Sequence, residues 1–471
     1  MTKEAIGEQF EIAKKRCMGV IERVSKLPYS STNKITVSCQ RTLLKLASSE
    51  LNFLSRSTHL LTLPSVNIGH IEAVVHILQQ PFITGVSRVC KPIPFSSTTG
   101  SGQKCTSFAA KGVHVDVVCT LNRNPVWIIV SDRNPKYISW NESRKSKGLK
   151  SRIEQVLAAA RSCVALKPSS IILFFSNGLN SVIYEKLRVE FGAAESGLEF
   201  YVFDFDFSED LEGWVSVLAR TYREASVLEI KVNETNCAVS NSDLVEDEFL
   251  EAAGQGFAKD DYMEHKMDNS FLSLISRMMF CSLDVENVGS TTPRNPLGEC
   301  DSINFDTTAL IALVSGISNG ASEKLLATPE AELRQRFKGN YDFVLGQVMS
   351  EIENPIHVEL GSVISGKRGI ICQSVCSEFK ELVSMCGGPN EKRRADQLLG
   401  CLMVAPDCPS ERMMNLPTTR KLAMKNKIVF GTGDHWRAPT LTANMAFVRA
   451  ISQTGMSLFT IGHRPRALTG D

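Results

Sequence analysis

Residues 302–315, Ser-Ile-Asn-Phe-Asp-Thr-Thr-Ala-Leu-Ile-Ala-Leu-Val-Ser, decide how the C-terminal third of the chain is read. The segment opens as a strand and continues as a helix, with an acid, Asp306, at the change. Strand ends in α/β sheets are where ligand sites form. Thr307 and Thr308 suit a helix cap and are equally able to contact a phosphate. On this local pattern alone, Asp306 is as much a helix cap as a functional acid.

Working outward, residues 301–471 continue as one α/β block. Pro355 to Leu360 reads as a short strand, and a helix lies within Ile370 to Met385. A further helix covers Asp396 to Val404, and Lys427 to Phe430 is a short apolar stretch. Arg437 to Ile451 reads as one long helix, and Ser457 to Ile461 as a strand followed by a basic tail.

Upstream, residues 1–58 read as a helical hairpin. Ile6, Phe10, Ala13, Cys17, Ile21 and Val24 recur at helical steps, and Leu43, Leu44, Leu46 and Leu51 line a second helix. This hairpin is a candidate face for a protein partner. Residues 59–235 alternate: a helix at His70–Leu78, strands at Val113–Thr120 and Val126–Ser131, and a helix at Leu149–Val164. A strand at Ile171–Ser176, a helix at Ser181–Phe191 and a strand at Glu199–Phe207 follow. That alternation implies an α/β layered domain. Residues 236–300 read as an acidic linker, because acids outnumber bases 14 to 4 across residues 242–306.

The chain has 471 residues, a net charge of +1, 43% hydrophobic and 22% charged residues, which is ordinary for a multidomain globular protein. A whole-chain basic signature for nucleic acid is absent, so any such surface is local. The 14 cysteines show no Cys-x-x-Cys pair, which points to free thiols in a reducing, cytoplasmic or nuclear setting. The opening stretch MTKEAIGEQFEIAKKRC lacks the apolar core of a secretory leader, and no apolar run approaches membrane-spanning length.

Three segments in order resemble the motifs of PIN-like nucleases. The first is Asp306-Thr307-Thr308-Ala309-Leu310-Ile311-Ala312-Leu313. The second runs from Ser374 to Leu382 and contributes Glu378; the third is Gly431-Thr432-Gly433-Asp434-His435-Trp436, followed by Thr440 to Asn444, and contributes Asp434. The whole chain also resembles an uncharacterised eukaryotic family with this block at its C-terminus, for which no activity carries over. The resemblance implies a PIN-like α/β/α domain that hydrolyses RNA phosphodiesters. Asp306, Glu378 and Asp434 would be its catalytic acids and its ligands to Mg²⁺ or Mn²⁺, hard cations that take oxygen donors. Thr307, Thr308, Trp436, Arg437, Arg464 and Arg466 would face the RNA.

One departure is plain: Gly462 stands where the family often places a fourth acid, and His463 follows it. The alternative is therefore a catalytically inactive PIN-like scaffold that binds RNA or protein. From Lys380 to the end, 13 Lys and Arg face 7 Asp and Glu, which suits a polyanion as well as solvated helix faces.

In the middle block, Asp116 on Val113–Val118 is followed by a strand and by a helix containing Gln155. That order resembles a restriction-endonuclease-like fold, but Trp127-Ile128-Ile129-Val130 lacks the Glu-x-Lys of the second strand, which implies a degenerate site. The loop Thr98–Thr106 fails the Walker pattern, and Asp204 and Asp206 read as the outer face of an edge strand.

Overall fold

The computed structural model describes residues 3–27, 35–56, 67–93, 112–142, 148–198, 222–232, 269–278 and 302–471. The loop at 98–106, the strand expected at 199–207 with Asp204 and Asp206, and most of the acidic segment 236–300 lie outside the described residues.

Two helices, α1 (Lys3–Lys26) and α2 (Val37–Arg56), form at the N-terminus. Phe10, Ala13, Cys17, Val20 and Val24 are buried along α1 at three- and four-residue steps. Cys39, Leu43, Ala47 and Leu54 do the same on α2, while Leu46 faces solvent. The pair packs onto α3 (Ile68–Gln79), and the Arg16 guanidinium grips Glu72 through two hydrogen bonds.

The first sheet takes β1 (Ile83–Ile93), β2 (Val113–Leu121), β3 (Asn124–Ser131), β4 (Ser170–Phe175), β5 (Ala194–Glu195) and β6 (Ser226–Lys231) in the order β1-β2-β3-β4-β6-β5. Among the described residues of this sheet only the β3–β4 strand pair is parallel, bridged by α4 (Leu149–Ser162). Between β4 and β5 runs α5 (Ser181–Phe191), closed by Gly192 in the left-handed region. Every residue of β4 is buried, with Ile171, Leu173 and Phe175 in one core and Ile172 and Phe174 in the other. Both faces of this sheet are therefore covered, which is why its central strands read as continuous apolar runs.

Strand β1 is not evident in sequence because Gly85 and Pro92 interrupt it and its register shifts between Thr84 and Arg88. Gly85 takes φ +55°, and a Cβ there would lie 2.7 Å from the Leu458 carbonyl oxygen of the C-terminal domain. Ser87 Oγ donates to the Gly455 carbonyl at 2.7 Å, so the irregular part of β1 is where the two halves of the molecule meet.

A short helix, α6 (Asn269–Ser276), falls within the acidic segment and buries Phe271, Leu274 and Ile275 against the C-terminal domain. The second sheet then takes β7 (Ser302–Phe305), β8 (Arg368–Cys372), β9 (Met403–Ala405), β10 (Thr440–Thr442) and β11 (Thr460–Gly462). It is wholly parallel, in the order β11-β10-β7-β8-β9. Helices on both faces connect the strands: α7 (Thr307–Val314), α8 (Ala321–Ala327), α9 (Glu330–Phe337), α10 (Tyr341–Glu353), α11 (Ile356–Ile364), α12 (Gln373–Cys386), α13 (Pro389–Leu399), α14 (Glu411–Met414), α15 (Met424–His435) and α16 (Met445–Thr454).

Three local expectations are corrected. Pro355 to Leu360 is not a strand: Pro355 caps α11, Glu351 accepts the Ile356 amide, and Ile356, Leu360 and Ile364 are buried at helical spacing. The helix placed at Asp396–Val404 begins earlier, at Pro389, and Met403 to Ala405 form β9. Arg437–Ile451 is not one helix. Pro439 cannot sit in a helix interior, and the chain passes through β10 before α16 begins.

Candidate functional site

In the second sheet, β7, β8 and β9 extend to one side and β10 and β11 lie on the other. The order reverses between β7 and β10, and the crevice at their carboxyl ends is where such sheets hold ligands. Asp306, at the end of β7, and Thr442, at the end of β10, both stand there.

Asp306 caps α7, its Oδ1 accepting the Ala309 amide at 2.9 Å and the Thr308 hydroxyl at 2.6 Å. Its Oδ2 accepts the hydroxyl of Thr442. The two threonines in turn accept the backbone amides of Ala443 and Asn444, each at 2.8 Å. The carboxylate is buried, and desolvation raises its pKa to about 6 despite these donors.

His463 follows β11, and Nδ1 lies 2.9 Å from the Arg464 carbonyl. A carbonyl only accepts, so Nδ1 carries the proton and Nε2 presents its lone pair, 3.5 Å from Thr308 Oγ1. Burial lowers the His463 pKa to about 4, so the ring is neutral.

Glu378, in the second turn of α12, reaches the same crevice. Its Oε2 accepts the Thr307 hydroxyl at 2.7 Å, and its Oε1 pairs with Lys425 at 2.6 Å. The structure thus joins Asp306 to Glu378 through the Thr307–Thr308 pair.

Asp434 stands elsewhere. It occupies the last turn of α15, not the head of a helix, at the edge where β10 begins. Arg412 grips both of its oxygens, Ser410 donates to Oδ2 at 2.6 Å, and Arg412 also donates to the Ser457 carbonyl at 2.9 Å. Burial alone would raise the carboxyl, but the Arg412 charge and hydrogen bonds hold it below its ordinary range. This ion pair fastens α14 to α15 and to the segment entering β11.

The residues expected at an RNA surface divide. Thr307 and Thr308 line the crevice but are engaged with the two acids. Arg464 is exposed beside it, 3.5 Å from Glu359. Arg466 is buried against Glu351 at 2.6 Å, so its guanidinium faces the interior. Trp436 is half-buried and donates Nε1–H to the Cys408 sulfur. Arg437 adopts φ +54° and lies at an inter-domain cleft of about 360 Å³ shared with Lys167, Arg412 and His435.

The C-terminal segment is no free basic tail. Buried Glu391 accepts the amides of Gly316, Gly388, Thr469 and Gly470 at 2.8–3.1 Å, and Arg394 pairs with Asp471. Glu391 and Arg412 escape sequence reading, as do the pairing of Lys425 with Glu378 and of Thr442 with Asp306. Glu391 alone carries a local signal, as the third helical residue after Gly388-Pro389, where an acid closes a capping box.

In the first sheet, Asp116 on β2 accepts the Val130 amide at 2.7 Å, so β3 offers it a backbone donor and no acid or lysine side chain. Asp116, His70 and Cys90 bring ligand-type atoms within 4.8 Å of one another, and among the described residues they are the one such trio of His, Cys, Asp or Glu. Asp306, Glu378 and Asp434 do not form one.

The fold is thus that of a two-sheet α/β protein with a helical N-terminus and a parallel C-terminal sheet. Residues 303–471 match the model of a family described as a protein of unknown function, DUF1308. No solved structure matches the chain. Among the described residues, no helix is long and apolar enough to cross a membrane.

Two substitutions separate the roles of the acids. Asp434→Asn leaves Arg412 buried without its counter-charge and is expected to cost about 3–5 kcal/mol in urea unfolding. Asp306→Asn behaves differently. A carboxyl whose folded pKa is raised stabilises fully below about pH 4, and that contribution is lost as pH rises through about 6. The variant lacks this loss, so relative to wild type it gains stability from pH 4 to pH 7.5, by up to about 3 kcal/mol. A difference between the two proteins that is flat across that range contradicts the assignment.

Proposed function

We propose that the C-terminal domain is a PIN-like module that binds RNA at its switch-point crevice without cleaving it. A parallel α/β/α sheet with an acid at the end of its first strand is what the PIN-like resemblance implies, and Asp306 occupies that place. The observation that carries the reading is the state of the three acids. Asp306 has both oxygens taken by hydroxyl and amide donors, Glu378 is held by Lys425, and Asp434 is committed to Arg412. A divalent-metal nuclease centre needs carboxylate oxygens that converge and remain open to the ions. These residues do not fit Mg²⁺ or Mn²⁺.

Binding is supported by what surrounds the crevice. The amino end of α16 faces the crevice, and helix amino ends favour anions. Lys425 and Arg464 are exposed on its two flanks. Lys392, Arg393, Arg420 and Lys421 add exposed cations on the same domain. Such groups neutralise phosphates without reading sequence.

The test is fluorescence anisotropy with labelled single-stranded RNA, alongside a cleavage assay in Mn²⁺ and in Mg²⁺. Binding that weakens at least tenfold in Lys425→Ala/Arg464→Ala, with the salt slope falling by about 1.4, is the expected result for two lost phosphate contacts on a single strand. The RNA is expected to stay intact. Cleavage abolished by Asp306→Asn and by Glu378→Gln would establish a nuclease instead, and unchanged affinity in the double variant would remove RNA from this crevice.

A further inference from the structure

We propose that His70, Cys90 and Asp116 form a binding site for a zinc-type divalent cation in the N-terminal half of the protein, with one coordination position left to solvent. The three residues come from three elements, α3, β1 and β2, and their ligand-type atoms lie within 4.8 Å of one another. The closest pair, His70 Nε2 and Asp116 Oδ1, is 3.0 Å apart. Tetrahedral zinc, with bonds of about 2.0–2.3 Å, sets its ligands about 3.3–3.7 Å from one another. The imidazole and carboxylate are therefore almost at ligand spacing, and the Cys90 sulfur lies within 4.8 Å of both.

The backbone gives an independent reason to single out this position. Val89 pairs with Val117 and Lys91 with Val115, which sets Cys90 directly opposite Asp116 on the antiparallel ladder. Cys90 adopts φ +48° there, a left-handed conformation that a non-glycine residue rarely takes inside a strand. Strain of this kind persists only where its surroundings enforce it, and it gathers at functional positions.

The remaining contacts leave room for a cation on one side. Asp116 Oδ2 is occupied by the Val130 amide at 2.7 Å, with the Arg152 guanidinium 3.6 Å away. Oδ1 faces His70, so a metal there replaces the proton the two now share. The His70 side chain is about 31% exposed, which provides an entry path, while Asp116 is buried. The donor set decides which metal: sulfur and imidazole nitrogen beside one carboxylate suit zinc or cobalt and not magnesium. Three protein ligands with an open position is also the arrangement of zinc that holds a water or a substrate group.

The experiment is Co²⁺ and Zn²⁺ titration of the full chain after chelator treatment, followed by absorption spectroscopy and thermal melting. Wild type is expected to take up Co²⁺ with a thiolate-to-cobalt charge-transfer band and to melt higher in Zn²⁺ but not in Mg²⁺. Cys90→Ser is expected to lose the band, and His70→Gln to weaken binding more than tenfold and to lose the zinc-dependent rise in melting temperature. Cys386→Ser, at an exposed free cysteine, retains both signals. Should Cys90→Ser fail to fold, His70→Gln decides, because that substitution leaves the Val130–Asp116 bond untouched. A band of full strength in Cys90→Ser, a zinc response unchanged in His70→Gln, or no uptake by wild type overturns the proposal.

Discussion

A carboxylate buried at the end of a strand has to be given donors, and the C-terminal domain is organised around that requirement at Asp306. Its partners come from two turns, β7–α7 and β10–α16, which flank the point where strand order reverses. The bonds therefore tie the two halves of the parallel sheet together where the crevice would otherwise separate them. An unpaired buried carboxylate costs far more than its hydrogen bonds return when made. The same logic recurs at Glu391, which collects four backbone amides, at Asp434 with Arg412, and at Glu351 with Arg466. Buried acids in this domain act as staples between segments distant in sequence.

That use of acids bears directly on function. In a metal-dependent centre the oxygens are shared by cations; here they are shared by hydroxyls, amides, an arginine and a lysine. His463, neutral with its Nδ1 proton given to the Arg464 carbonyl, adds no charge beside Thr308. The exposed cations at the crevice are Lys425, paired with Glu378, and Arg464, beside Glu359, and their charge is what supports the proposed binding of an anion.

Much of the architecture is legible from the residues because burial imposes period. The spacing of Phe10, Ala13, Cys17 and Val24 marks α1, and the apolar run at 171–175 marks β4. The strand-to-helix change at Asp306, and its capping role, follow from the same kind of pattern. Strand β1 escapes because Gly85, Pro92 and a register shift break its alternation, and Gly85 and the shifted residues meet residues 455–458 far along the chain. Asp434 is legible as an acid beside a helix but not as the partner of Arg412, since nothing local links positions 412 and 434. Glu391 and the trio His70, Cys90 and Asp116 are hidden for the same reason: their meaning lies in tertiary contacts between elements.

We propose that Asp306 is satisfied by the protein and holds no catalytic cation. The most direct measurement is a crystal structure of the full chain grown in millimolar Mn²⁺, with anomalous scattering recorded for manganese. The expected result is no anomalous peak at the carboxyl edge of the second sheet and an Asp306 carboxylate still bonded to Thr308, Thr442 and the Ala309 amide. A manganese peak between Asp306 and Glu378, with Lys425 displaced, would contradict it.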